Sequence, residues 1–568
     1  MGGVSGRRIR RWLLPLLLGA VLVGTGAFLV PHGGGAVDAA PVPLRTLPDT
    51  DVNPYGANFF LEYEAEPWKI DKTLQMAREA RLGWVKQQFP WEDIELKKGR
   101  FWDDRLNKST WDKYDRIVDT ARKYNLEVIA RLDRPPPWTR KDNSVPQAPP
   151  DNFDDYGDFV QAVVEHFKGR IHYYQLWNEP NIYPEWGNRA IDPEAYTRLL
   201  KIGYARAKAV DPNVRILSAP LAQTLETGPR NLSELLFLDR MYKAGAKDSF
   251  DILFANGYGF DRSPDDPPDP NVLNFQRVQL VREIMVRNGD EAKPVWFNEV
   301  GWNAAPDTFP QEKLIWQRVP EAQQAEWTVK AIKTARAQWP WAGVFCVWYF
   351  RQAGQIPPER ADYYFRMVDV GFTPRPVYNL IKKATEGIGT VGAGSYQESN
   401  PAVTYQGDWE QIATSDASGG LWRVAHSAGD SATISFRGSD LAILTRKGPE
   451  APTIYVTLDG REANRLPRDR QGRSFAELAS PTAQPRTLVP IAADLPTREH
   501  VVRITVAGPA SGGETAFVLD GFEVAENGTT DWVDLLTPAA PWAGGAILAA
   551  GGAAWLVARR RRRRPAAD

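Results

Sequence analysis

Tyr173-Tyr174-Gln175-Leu176-Trp177-Asn178-Glu179-Pro180-Asn181 is a short apolar run that ends abruptly in an amide, a carboxylate and a proline. Its length suits a buried strand, and Pro180 cannot donate to a continuing ladder. A second run of the same kind, Val295-Trp296-Phe297-Asn298, ends in Glu299, Val300, Gly301 and Trp302. Six further strand candidates share the chain with these two: Tyr55–Leu61, Gly83–Phe89, Glu127–Leu132, Val214–Ser218, Ile252–Ala255 and Val344–Phe350. Between them lie Asp71–Arg81, Trp111–Tyr124, Asp155–Phe167, Pro193–Val210, Glu234–Ala244, Asn274–Asn288 and Ala322–Gln338, where apolar residues recur at three and four, the helical period. Pro376–Glu386 closes the series. Strands alternating with helices in this way predict an α/β fold, a (β/α)8 TIM barrel over residues 53–388. In such a barrel the site lies at the C-terminal ends of the strands, which places Glu179 and Glu299 on one face.

Beyond residue 388 the pattern changes. The only G-x-G-x-x-G match, Gly387, Gly389 and Gly392, follows a helix instead of a strand, so residues 389–399 read as a Gly-rich linker and not a nucleotide loop. Residues 400–526 carry short alternating runs (Ala432–Phe436, Ala442–Thr445, Thr453–Leu458, His500–Val506, Phe517–Val524) broken by Gly, Pro and Asp, the pattern of an all-β sandwich.

The chain has 568 residues, 24% of them charged and 43% hydrophobic, with one cysteine, Cys346, which excludes an internal disulfide framework. Its formal charge of −1 hides an asymmetry, because the two tails hold ten arginines against Asp38 and Asp568 and leave 59 basic and 68 acidic residues elsewhere. An acidic body is not a nucleic-acid binder, since phosphate neutralisation needs basic charge on the folded surface. Trp12–Val30 is an uncharged run of 19 residues just after four arginines. It is long enough to span a bilayer, and Val37-Asp38-Ala39-Ala40 equally offers a cleavage site, so residues 1–40 read as a signal peptide or a membrane anchor. Leu535–Ala558 reads as a C-terminal transmembrane helix, and residues 559–568, with six arginines, as its cytoplasmic tail. These terminal hydrophobic segments predict a cell-membrane protein whose body is extracytoplasmic.

Five histidines, of which only His166 and His172 fall in the barrel and both on the face away from the site, leave Ser-His-Asp and histidine-rich zinc chemistry without their residues. Carboxylates remain as the proton-transfer groups. Burying an unpaired glutamate costs several kcal/mol, so Glu179 and Glu299 at two apolar strand ends need a reason. Pairing with Arg131 or Arg351 is one. The other is glycosidic bond cleavage, in which one carboxylic acid protonates the leaving oxygen and a facing carboxylate attacks the anomeric carbon or activates water.

Trp177-Asn178-Glu179-Pro180-Asn181 resembles the motif of the large clan of (β/α)8 glycoside hydrolases with an acid/base glutamate on strand four and a nucleophile on strand seven. Phe89-Pro90-Trp91-Glu92-Asp93-Ile94-Glu95, Gly99-Arg100-Phe101, Trp111–Asp115, Pro135-Pro136-Pro137-Trp138 and Val347-Trp348-Tyr349 extend the likeness over roughly residues 53–388. The flavour is that of the β-xylosidase/α-L-iduronidase family and related endo-β-glycosidases. The resemblance implies Glu179 as acid/base, Glu299 as nucleophile with retention, Asn178 on the sugar 2-hydroxyl, Tyr258 donating to Glu299, and Trp348 as a floor under the ring. It implies a carbohydrate substrate and neither metal nor cofactor. Relatives carry histidines where this chain has Leu132-Asp133-Arg134 and Asn256-Gly257-Tyr258. Asp133 is a candidate for a sugar hydroxyl or for pairing with Arg134; Trp138 and Trp302 are candidates for the cleft or for the core. Trp409 and Trp422 are candidate sugar platforms on the sandwich. A non-catalytic glycan-binding envelope protein and a transglycosylase using the same glutamates are the alternative readings.

Overall fold

The computed structural model describes residues 45–507 and 516–526. The expected segments 1–40, 535–558 and 559–568 lie outside the described residues. Among the described residues no helix is long and apolar enough to cross a membrane.

Eight parallel strands form the barrel: β1 (Tyr55–Phe59), β2 (Trp84–Pro90), β3 (Glu127–Asp133), β4 (Tyr173–Leu176), β5 (Arg215–Leu217), β6 (Leu253–Tyr258), β7 (Val295–Gly301) and β8 (Ala342–Val347). Their order is β5-β4-β3-β2-β1-β8-β7-β6, and a parallel bridge from Leu217 to Ile252 closes the ring. Helices α1 (Pro67–Glu79), α2 (Asp112–Lys123), α3 (Phe153–His166), α4 (Pro193–Val210), α5 (Glu234–Lys243), α6 (Val278–Arg287), α7 (Glu321–Gln338) and α8 (Pro376–Ala384) surround it. Side-chain caps start several of them: the Asn152, Asp192 and Ser233 side chains accept from backbone N–H groups of α3, α4 and α5. The strands are buried on both faces, as a parallel sheet covered by helices requires.

The lower, N-terminal end of the barrel is plugged by the segment before β1. Asp49, only 3% exposed, accepts from the Tyr173 hydroxyl at 2.9 Å and the Arg215 guanidinium at 2.8 Å. Its carbonyl accepts from the Trp296 indole at 2.8 Å. Gly343 makes this approach possible, since a Cβ there would lie 2.6 Å from the Asp49 carbonyl oxygen and 2.1 Å from the Trp296 indole nitrogen.

The C-terminal part is two antiparallel sheets. One runs β11 (Trp409–Ala413), β12 (Leu421–Ala425), β20 (Phe517–Ala525), β14 (Asp440–Lys447), β18 (Gln484–Ala492), with β9 (Gly394–Gln397) also on β20. The other runs β10 (Val403–Gln406), β13 (Ser431–Gly438), β19 (Arg498–Val506), β15 (Thr453–Leu458), β16 (Arg461–Glu462), with β17 (Phe475–Glu477) on β15. Two expectations are corrected here. Residues 389–399 are not a free linker, because Gly394–Gln397 pairs with Gly521–Val524 and Val391 bridges Phe436. Trp422 is not a platform, being 8% exposed in a local core, whereas Trp409 is half-buried and packs on Tyr405 and Phe517.

The sandwich docks beneath the barrel. Asp51, before β1, accepts from the Gln397 backbone N–H at 2.8 Å and from the Asn400 amide at 3.0 Å. Asn213, just before β5, bonds Glu410 at 3.3 Å and the Ala413 N–H at 3.4 Å. Asp51→Ala leaves two buried donors without an acceptor, which costs about 1–3 kcal/mol each. A lower urea midpoint with unchanged turnover is the expected outcome; an unchanged midpoint would show that these bonds hold nothing together.

Candidate active site

Three local features build the site at the upper end of the barrel. The first is the break after β4. Trp177 and Glu179 have φ of 75° and 40°, the left-handed region that non-glycine residues enter only when their surroundings impose it. Here the Trp177 N–H is tied to the Leu132 carbonyl at 3.1 Å and the Glu179 N–H to the Pro220 carbonyl at 3.0 Å. Asn181, fully buried, bonds Ala222 through both its amide atoms and Leu232 through its Nδ2, which fastens the loop to the segment after β5.

The second is a β-bulge in β7. Phe297 pairs with Ala255 of β6 and Phe345 of β8, but the next partners are Asn256 with Glu299 and Val347 with Val300. The extra residue falls at 298–299 against both neighbours. A bulge re-aims side chains, and here it brings Asn298 and Glu299 into one polar layer although they are adjacent in a strand. The third is a row of amides. Asn58 Nδ2 donates to the Asn298 carbonyl at 2.9 Å, Asn298 Nδ2 to Asn256 Oδ1 at 2.8 Å, and Asn256 Nδ2 to Glu179 Oε1 at 2.5 Å.

Glu299 is 6% exposed. The Tyr258 hydroxyl donates to its Oε2 at 2.6 Å, and the Lys86 ammonium lies 3.7 Å from its Oε1. Lys86 is 2% exposed and has no hydrogen-bond partner among the described residues. Burial pulls its pKa down to about 8, with the Glu299 charge opposing. Glu179 is half-buried, and its carboxyl is pushed up to about 8, first by loss of solvent and then by the charges of Glu299 and Glu185. The two glutamates therefore feel each other, one beside a hydroxyl donor and a cation, the other held towards its protonated form.

Asn178 is buried, accepting at Oδ1 from Gln175 at 3.4 Å. Trp348 is half-buried, and its indole N–H has no partner among the described residues; Phe60 meets it edge-on at 5.6 Å. Tyr258, Glu179, Glu299, Asn178 and Trp348 thus stand at the ends of β4, β6, β7 and β8. The remaining candidates take other places. Asp133 pairs with Arg131, at 2.6 Å from its Nε, and accepts from Gln88 at 2.7 Å, so both its oxygens are engaged. Arg134 bonds Glu92 at 2.8 Å instead. Trp302 is fully buried against the Gly259 backbone with its N–H on the Arg262 carbonyl at 2.8 Å, which makes it core. Trp138 packs edge-on to Trp91 at 5.7 Å and donates to the Glu95 carbonyl at 3.1 Å, a packing role as well.

Sequence reading gave no site role to Lys86, Glu185 or Asn298, and named Arg131 only as a pairing partner and Asn256 only as a departure from the relatives' histidines. For Lys86 and Arg131 the signal was present in the spacing of β2 and β3: Lys86 with Gln88 and Arg131 with Asp133 sit two apart in apolar runs, the period that puts polar groups on the barrel's inner wall.

No protein-family profile and no curated protein matches the chain. Solved structures similar to it include a family 39 glycoside hydrolase from Bacteroides cellulosilyticus WH2, at 16% identity over 81% of this chain and 81% of that one, with a TM-score of 0.45. A monomeric beta-xylosidase from Caulobacter crescentus CB15 is 14% identical over 83% of this chain and 98% of that one, with a TM-score of 0.44. The exo-beta-1,4-mannosidase Op5Man5 from Opitutaceae bacterium strain TAV5 is 17% identical over 61% of this chain and 63% of that one, with a TM-score of 0.43. Likenesses at this level carry neither a substrate nor a residue role across. What the chain itself defines is a closed (β/α)8 barrel with an antiparallel β-sandwich beneath it and two interacting glutamates at its upper end.

Proposed function

We propose that the protein is a retaining glycoside hydrolase that cleaves O-glycosidic bonds in a cell-surface or environmental polysaccharide or oligosaccharide by double displacement. The observation that carries this reading is the unlike surroundings of two carboxyl groups at one end of the barrel, the Tyr258 hydroxyl and Lys86 at Glu299 and the Asn256 amide at Glu179. Glu179 is held towards its acid form and suits protonation of the leaving oxygen. Glu299, with the Tyr258 hydroxyl on one oxygen and Lys86 beside the other, is the carboxylate that attacks the anomeric carbon. As the glycosidic bond breaks, the proton moves from Glu179 to the departing oxygen; Glu179 then takes a proton from the water that releases the sugar from Glu299. Asn178 donates to the 2-hydroxyl and Trp348 lies under the ring.

The sign of the pH dependence follows. A carboxyl raised to about 8 keeps its proton through neutrality and loses it above, so kcat/KM is expected to fall on the alkaline side near pH 8. Aryl glycosides of xylose, glucose, galactose, mannose, arabinose and uronic acids, assayed from about pH 5 to about pH 10, check this and identify the sugar. No turnover of any glycoside, with glycan binding retained, favours the non-catalytic reading.

We also place the body outside the cytoplasm, held by the arginine-flanked hydrophobic segments at residues 12–30 and 535–558. Protease added to intact cells is expected to digest residues 45–526. A protected body would overturn the placement.

A further inference from the structure

The seam between β5 and β6 is closed by side chains. β5 has only three residues, and among the described residues it meets β6 at one bridge, Leu217 with Ile252. Alternate N–H groups of a strand point to alternate neighbours, so those of Phe254 and Tyr258 face the β5 side, where β5 has already ended. Ser218 Oγ accepts from the Phe254 N–H at 3.1 Å and Gln223 Oε1 from the Tyr258 N–H at 2.8 Å. Gln223 Nε2 donates to the Asn274 carbonyl at 2.9 Å, in the turn before α6. With an N–H on its oxygen and a carbonyl on its nitrogen, this amide admits one orientation. Its backbone is held as well: the neighbouring Ala222 exchanges bonds of 2.8 Å, through its N–H and its carbonyl, with the Asn181 side chain, two residues beyond Glu179.

Tyr258 needs such a tie. Glycines flank it, and packing imposes both: a Cβ at Gly257 would lie 3.0 Å from the Phe297 ring and one at Gly259 1.9 Å from the Trp302 ring. Glycine restricts the backbone least, so β6 is loosest where the Tyr258 hydroxyl meets Glu299 Oε2 at 2.6 Å. Ring contacts of Tyr258 with Phe365 at 5.5 Å and Trp316 at 6.0 Å are non-directional and tolerate sliding along the strand. We infer that Gln223 is a positioning residue: by holding the Tyr258 N–H it sets the height of the Tyr258 hydroxyl on Glu299, in register with the loop that carries Glu179. The inference rests on reading Glu299 as the nucleophile. A hydrogen bond weakens steeply with angle and length, so a shift of about 1 Å in Tyr258 is enough to lose it.

The test compares Gln223→Met, Gln223→Glu and Gln223→Asn in the full chain, each alone and with Tyr258→Phe. Gln223→Met keeps the length of the side chain and drops both bonds. With the best of the aryl glycosides as substrate, kcat is expected to fall on the order of tenfold and KM to change by less than about twofold. Gln223→Glu, which still offers an oxygen to the Tyr258 N–H, is expected to recover most of that loss. In the Tyr258→Phe background, where no hydroxyl is left to place, Gln223→Met is expected to cost less than about twofold. An equal loss in both backgrounds marks a merely structural residue and overturns the proposal. If a melting curve shows that Gln223→Met does not fold, Gln223→Asn, which draws the acceptor back by one carbon and keeps the site polar, is read by the same cycle and to the same effect. The point is also read without turnover from the Cζ resonance of Tyr258 in 13C-tyrosine-labelled protein, identified by its loss in Tyr258→Phe. A resonance unmoved by Gln223→Met or Gln223→Asn overturns the proposal. A moved resonance in a protein that hydrolyses no glycoside supports the placement of the hydroxyl and strikes only at the hydrolase reading.

Discussion

Glu299→Ala is expected to lower turnover of an O-glycoside by on the order of 10⁴-fold or more, and added azide is expected to restore part of it. The carboxylate is held by the Tyr258 hydroxyl at 2.6 Å and by Lys86 at 3.7 Å, so its removal deletes the attacking atom and leaves its supports in place. Azide entering the vacated space attacks the anomeric carbon from the same side, and the glycosyl azide formed has the configuration opposite to the substrate's. Retention in the wild-type hydrolysis product beside inversion in this azide, both read by proton NMR, separates a nucleophile from a carboxylate that only orients water. The variant must also be shown to fold, because Lys86, 2% exposed, loses its counter-ion. Removing one member of a buried pair costs about 3–5 kcal/mol. Lys86, already pulled down to about 8, can shed its proton and avoid part of that cost. Circular dichroism melting of Glu299→Ala and Glu299→Gln measures what remains. Wild-type turnover in a folded variant would dismantle the assignment.

Glu179→Gln is expected to act selectively. With a poor leaving group, such as a second sugar, kcat/KM should fall by about 10²–10⁴-fold, the usual contribution of a positioned acid. With a dinitrophenyl leaving group, which departs without a proton, the first step should be nearly intact while release of the bound sugar slows. A burst of dinitrophenol followed by a slow steady state is the result to look for. The alkaline limb near pH 8 should disappear with the side chain that causes it. An equal loss on both substrates would mean that Glu179 binds sugar and transfers no proton.

Much of this architecture was legible in the sequence, because buried parallel strands are apolar throughout and the helices between them carry a clear period. Pro193–Val210 matches its helix at both ends, and all eight strands fall where the apolar runs lie. What failed has physical causes. Gln484–Ala492 contains Pro485 and Pro490, which argue against a strand, yet it occupies the end of its sheet, where a missing donor is tolerated. Gly394–Gln397 looked like a linker because glycines precede it, and only its pairing with β20, more than a hundred residues away, makes it a strand. In the site, Glu179, Glu299 and Tyr258 were marked by position at strand ends. Lys86 and Asn298 were not, since their use depends on the bulge and on the barrel's inner layer. The indoles divide for the same reason: its neighbourhood in the chain left Trp302 between cleft and core, whereas Gly259, which receives it, lies on another strand's loop.

The sandwich joins the barrel through Asp51 and Asn213, at the end opposite the two glutamates. A polymer held on the sandwich would have to run the length of the barrel to reach Glu179 and Glu299. The sandwich and the two carboxyl groups thus stand at opposite ends of the barrel axis.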